Sequence, residues 1–160
     1  MYVFPLPEKG TNLRTFPGLK IFIIAIVWTG ITYIVPLFYL KVLPDSFLSE
    51  ILQRFILLLV LMIPFEIRDF NEDDFNLRTL PQQLGVRVTK YVGYLFTVIL
   101  VGIGYFQYKW YEISFIPDLG LGFLLLLLLF FTKKEQNIYF SSFWVESVPI
   151  YYTIGHLLIA

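Results

Sequence analysis

Apolar stretches long enough to cross a membrane alternate with short polar links along this chain, and that alternation alone predicts an all-α fold. From Ile21 to Leu40 twenty residues pass without a charge. As a helix rising about 1.5 Å per residue, such a run matches a hydrocarbon core about 30 Å thick. The link KVLPDSFLSE leads into a second apolar stretch whose uncharged run, Phe55 to Phe65, is eleven residues long. Its helix therefore starts near Ser46 or Ser49, with Glu50 and Arg54 reaching the interface. Tyr91 to Tyr108 gives a third uncharged run of eighteen residues. Tyr105, Tyr108, Trp110 and Tyr111 close it in the manner of an aromatic belt at headgroup level. Asp118 opens a fourth segment, nearly pure leucine and phenylalanine from Leu119 to Thr132, and a fifth begins near Phe143 and holds Glu146, Pro149 and His156. The expected architecture is a polytopic transmembrane helix bundle, one domain over 1–160. About five spanning helices are placed at 20–40, 48–66, 88–108, 116–132 and 143–160, with an acidic loop over 66–87. Pro36 is expected to loosen the first helix near its far end, where neighbouring helices and water can satisfy the freed backbone.

Composition agrees with this pattern. At 58% hydrophobic and 15% charged residues, with a mean hydropathy of +0.72, the chain has too little polar surface to cover a water-soluble globule of its size. A net charge of zero argues against general nucleic-acid binding, which needs a basic face toward phosphates. With no cysteine there is no disulfide framework, zinc-thiolate site or redox thiol. The opening MYVFPLPEKGTNLRTFPG lacks the basic, apolar and small-residue order of a cleaved signal peptide, so membrane entry is expected to rest on the internal segments. Placing the N-terminus in the cytoplasm puts Lys9, Arg14, Lys20, Arg68, Arg78, Arg87, Lys90, Lys133 and Lys134 inside and Lys41, Arg54 and Lys109 outside. Nine against three predicts a cytoplasmic loop at 66–87 and an outward C-terminus.

The stretch Pro64 to Lys90 is where chemistry is expected. It holds five of the twelve carboxylates (Glu66, Asp69, Glu72, Asp73, Asp74) and four of the twelve basic residues (Arg68, Arg78, Arg87, Lys90). Glu66, Asp69 and Asp73 follow at spacings of three and four, so a helix continuing past Pro64 would carry them on one face. Like charges stacked that way repel unless a cation sits among them. Hard oxygen ligands at a membrane surface suit Mg²⁺, which shares its coordination with water and substrate phosphates. Arg68 and Arg78 then serve as donors to the bridged anion. Lys90 either joins them or is an ordinary positive-inside anchor. On charge content alone, a solvated polar loop accounts equally well for these residues. An EF-hand fits poorly: Asp69, Asn71 and Asp73 suit the first ligand positions, but Asp74 replaces the turn glycine and Leu80 the terminal glutamate.

These residues resemble the second aspartate-rich motif of UbiA-type membrane prenyltransferases, D-x-x-D-x-x-x-D, commonly D-I-R-D, followed by T-L-P and L-G. The matching text is Glu66-Ile67-Arg68-Asp69, Asp73, Thr79-Leu80-Pro81 and Leu84-Gly85. The resemblance implies that Glu66, Asp69 and Asp73 hold Mg²⁺ on a polyprenyl diphosphate, with Arg68, Arg78 and Lys90 toward the diphosphate. It also implies an apolar cavity among the helices for the isoprenoid tail, and transfer of the prenyl group to an aromatic or lipid acceptor. The chain departs from the pattern at Glu66, which replaces an aspartate, and between Asp73 and Thr79, which is one residue shorter and lacks the usual glycine. The family has about nine spanning helices and an earlier motif, N-D-x-x-D-x-x-x-D, that is missing here, so the resemblance covers roughly the fifth to ninth helices. The chain is read as the C-terminal part of such a fold, or as a short protein completed by a second subunit. Either way it is expected to be inactive in prenyl transfer alone.

Other residues carry less. Glu146 and His156 read as interface residues, Lys133 and Lys134 as anchors open to lipid headgroup contact. The aromatics read as packing and belt, with Tyr91 and Tyr94 open to a cavity role. The alternative class is a non-enzymatic integral membrane protein, an accessory subunit or scaffold with an acidic loop; a transporter is disfavoured by the scarcity of charge at mid-membrane positions.

Overall fold

A computed structural model of the chain describes residues 18–71, 79–135 and 139–159. Among the described residues there is no strand. Three helices are long and apolar enough to cross a membrane: Leu19–Leu40, Phe47–Arg68 and Val86–Tyr111. They point to an integral membrane protein. The helix Ile116–Phe131 is apolar but shorter, 16 residues, about 24 Å of rise, and the last helix follows a π-helical turn over Phe140–Val145. The expected fourth and fifth segments are thus present as helices, while the long spans number three.

Prolines shape two of these segments. The first is α1 (Leu19–Thr29), a π turn (Gly30–Ile34) and α2 (Val35–Leu40) in continuous sequence. Pro36 has no N–H for the carbonyl of Thr32, four residues earlier, and the ladder widens over that turn. The same relation recurs where Pro149, inside α7 (Glu146–Ile159), lies four residues past Val145 at the end of the second π turn. Pro64 lies within α3 (Phe47–Arg68), which stays α-helical around it. The expected loop over 66–87 is largely helical where described. Helix α3 runs on to Arg68, a 3₁₀ turn covers Asp69–Asn71, and α4 (Leu80–Leu84) precedes α5 (Val86–Tyr111). Thr79 caps α4, its N–H donating to Gln82 Oε1 at 3.1 Å, with Pro81 in the first turn, where a missing N–H costs nothing. Helix α6 (Ile116–Phe131) and α7 complete the chain.

Helix α3 is the axis of the bundle, packing against α1, α5 and α6. Ile56, Val60, Ile63 and Ile67 of α3 meet Leu100 of α5, Leu125 and Leu129 of α6, and Val148 of α7 in one core. Small residues let α5 and α6 approach closely: a Cβ on Gly93 would sit 3.0 Å from side-chain atoms of Ile63 and Leu129. The outward faces are apolar, with Phe38, Leu95, Val98, Phe123 and Leu157 all more than half exposed. Leaving such side chains in water forgoes about 1.5–3 kcal/mol each relative to burial, which a lipid surround restores.

Candidate functional site

Two polar ends lie at opposite poles of α3. At the C-terminal pole, Glu66 sits on the last turn and is 4% exposed, with Lys20 Nζ of α1 3.9 Å from Oε1. The two meet because α1 runs antiparallel to α3, its start held beside α4 where Gly18 (φ +67°) lies against Leu80. Arg68 closes α3 and donates from Nε to Asp69 Oδ1 at 2.6 Å. Its guanidinium carbon lies 5.4 Å from the Phe65 ring centre. Lys134, beyond α6, places Nζ 3.7 Å from the centre of the Phe70 ring. Lys90, in the first turn of α5, donates from Nζ to the carbonyl of Phe130 at 3.2 Å, where a cation complements the last turn of α6. Of the expected site residues, Glu66, Arg68 and Asp69 share this pole, and Lys90 meets the end of α6. Asp73 and Arg78 lie outside the described residues. No cluster of three or more carboxylate or histidine groups occurs among the described residues.

The other pole is a buried polar network that sequence reading left scattered. Asp118, 0% exposed, accepts a 2.7 Å hydrogen bond at Oδ1 from Gln53 Nε2. Room for its carboxylate comes from Gly104 on α5, where a Cβ would lie 2.6 Å from Asp118 Oδ2. His156 of α7 brings Nε2 to 3.9 Å from Asp118 Oδ1, so the residue read as an interface group is packed against a buried acid. Gln107 Nε2 of α5 donates to Ser49 Oγ at 3.3 Å. Glu50 accepts from Tyr33 Oη at 2.7 Å and from Ser46 Oγ at 2.5 Å, and Arg54 stacks 4.4 Å from the Tyr33 ring centre. The signal that could have found this network is spacing: Ser49, Gln53 and Ser46, Glu50 recur at i, i+4 in an otherwise apolar stretch.

Comparison with protein-family models, curated proteins and solved structures found no match to the chain.

An apolar cavity of about 440 Å³ lies between α6 and α7, lined by Leu121, Phe123, Leu124, Leu127, Trp144 and Tyr151 among others. Its lining reaches Leu127, one turn before the Phe130 carbonyl that Lys90 engages. Glu146, opening α7, is exposed. Tyr91 is 69% exposed and packs edge-on against Tyr94 at 6.4 Å, outside this cavity.

Proposed function

We propose that the C-terminal pole of α3 is one wall of a Mg²⁺-dependent site for a polyprenyl diphosphate, and that the chain is the corresponding part of a UbiA-like prenyltransferase. The observation that carries this reading is that Glu66 and Asp69, three residues apart, are met by Lys20 of α1 and by the adjacent Arg68, with Lys134 over the neighbouring Phe70 ring. The donor chemistry fits the metal, since Mg²⁺ takes one or two carboxylates and completes its shell with water and substrate phosphates. Glu66 and Asp69 would hold it, joined by Asp73. When bound, the metal supplies charge neutralisation to the leaving diphosphate. Glu66 and Asp69, which now hold Lys20 and Arg68, would be engaged as ligands. Lys20 and Arg68 would then turn toward the diphosphate oxygens, Arg68 through its planar fork. The apolar cavity between α6 and α7 takes the tail. With a single acidic wall, diphosphate is incompletely neutralised, so this chain binds substrate without turning it over.

The test is Mg²⁺-dependent binding of geranylgeranyl diphosphate to the detergent-solubilised chain. Binding that requires Mg²⁺ and drops roughly tenfold or more in Glu66→Gln and Asp69→Asn is expected, each removing a charged ligand worth about 1.5–3 kcal/mol. Metal-independent binding, or none in a folded sample, would rule the reading out. One observation favours the second reading, a non-enzymatic membrane subunit: Asp69 already has its counter-charge in Arg68 at 2.6 Å. On that reading Asp69→Asn leaves diphosphate binding unchanged and lowers stability alone.

A further inference from the structure

The seam where α5 meets α6 carries two features on its outward side. The first is an apolar groove of about 300 Å³ between Val98 and Val101 of α5 and Leu119, Phe123 and Leu126 of α6. Gly122 lets Val101 close its floor, since a Cβ there would stand 2.4 Å from Val101 Cγ2. Val98, Leu119 and Phe123 are all more than half exposed, so the groove opens outward. The second feature is cationic. Arg87 and Lys90 sit three positions apart at the start of α5, and Lys133 follows the end of α6, close enough for its charge to act on Lys90. Lys90 reaches across the seam to the Phe130 carbonyl at 3.2 Å, which uses one of its three ammonium N–H groups. Arg87 is exposed, and among the described residues neither it nor Lys90 has a carboxylate at ion-pair distance; Glu135, exposed beyond Lys134, pairs with neither. Arg87, Lys90, Val98 and Val101 fall on one face of α5, and Leu119, Phe123, Leu126 and Phe130 on one face of α6. The groove therefore runs directly below the cations. Along α5, Val98 lies about 12 Å and Val101 about 16 Å of rise from Lys90. That is acyl-chain depth, ending near the middle of a hydrocarbon core about 30 Å thick.

We propose that this seam binds an anionic phospholipid, its phosphate held by Arg87, Lys90 and Lys133 and one acyl chain laid in the groove. Charge selects the headgroup: basic residues at the mouth of an apolar seam between spanning helices favour acidic lipids over zwitterionic ones. Arg87 offers a planar fork to the phosphate oxygens, and the two lysines act as point charges beside it. Depth selects the occupant. The groove stops in mid-membrane, as a chain of one leaflet does, whereas a partner helix would follow the seam across the whole core. Lys90, expected from the sequence to face a diphosphate, thus serves a lipid. The site uses neither Glu66 nor Asp69, and the cavity between α6 and α7 lies on another flank of α6. It stands whether or not the diphosphate wall binds substrate.

The experiment gives the full chain, in a mild phospholipid-free detergent, either phosphatidylglycerol or phosphatidylcholine with the same acyl chains, and reads retention by native mass spectrometry. Glycerol phosphate, titrated by calorimetry, supplies the headgroup without the chains. Phosphatidylglycerol is expected to be retained about tenfold or more over phosphatidylcholine, with glycerol phosphate binding far more weakly. Lys90→Gln should lower phosphatidylglycerol retention about fivefold, and Arg87→Gln combined with Lys90→Gln about 25-fold. Lys90→Arg keeps the charge and should restore retention, and Lys109→Gln, which removes an exposed cation at the far end of α5, should leave it unchanged. Val98→Trp, at an exposed position, fills the groove and should lower retention with every charge in place. Equal retention of the two lipids by the folded chain overturns the proposal, as does retention unaltered in the double variant. Glycerol phosphate binding as tight as phosphatidylglycerol overturns it by leaving the groove no role. A lipid-free dimer that Val98→Trp disrupts does so by assigning the seam to a second copy.

Discussion

Gly104→Ala tests whether the buried acid at the N-terminal pole is packed as described. The added Cβ would stand 2.6 Å from both Cγ and Oδ2 of Asp118 and 2.7 Å from its Cβ. Asp118 has nowhere to retreat: it is 0% exposed and tied to Gln53 at 2.7 Å. Either α5 and α6 separate, at the usual overpacking cost of about 1–3 kcal/mol, or the carboxylate abandons Gln53, losing a charge-assisted bond worth about 1.5–3 kcal/mol. Alanine returns about 1 kcal/mol through helix propensity, leaving a net loss of up to about 2 kcal/mol. Gly102, on the same helix, has nothing within 4 Å of its Cβ position, so Gly102→Ala keeps the propensity gain without the clash. Thermal unfolding of both variants in one detergent should show Gly104→Ala melting up to about 8 °C below wild type and Gly102→Ala at or slightly above it. Equal melting temperatures for the two variants would refute the packing of Asp118 against Gly104.

Other outcomes follow from single contacts. Asp118→Leu leaves the Gln53 amide buried without its acceptor and should cost about 1–3 kcal/mol, whereas Asp118→Asn, which keeps an acceptor in place, should retain most of the stability; a chemical-denaturation series in detergent compares them. Gly85 has φ +79° and ψ 153°, a conformation nearly confined to glycine, so Gly85→Ala should destabilise the α4–α5 junction by about 1–3 kcal/mol although open space surrounds it. Pro36→Ala restores an N–H toward the Thr32 carbonyl, and amide hydrogen exchange over 30–36 should slow as the π turn converts to regular helix.

Helix positions were legible because membrane-crossing runs are long and nearly free of charge: the expected 20–40, 48–66, 88–108 and 116–132 lie within three residues of the helix ends seen here. The acidic loop was drawn too long because polar residues were taken to end helices. Glu66 and Arg68 stay helical, since Lys20 meets the one and Asp69 the other across the helix end. The two π turns follow from Pro36 and Pro149 only once the surrounding chain is known to be helical. Asp118 and His156 could not be joined in sequence, because 38 positions separate them and the contact depends on α6 and α7 folding back beside Gln53.

The proposed function depends on α3 carrying its two polar poles to opposite faces of a membrane. The cysteine-free sequence permits a clean test. Gln83→Cys and Glu112→Cys each put one thiol at an exposed position, the first beside the Glu66 pole and the second beyond the end of α5 near the Arg54 pole. Sealed vesicles of one orientation, treated with a membrane-impermeant maleimide before and after permeabilisation, should label one variant at once and the other only after opening. Labelling of both from the same side would contradict the account.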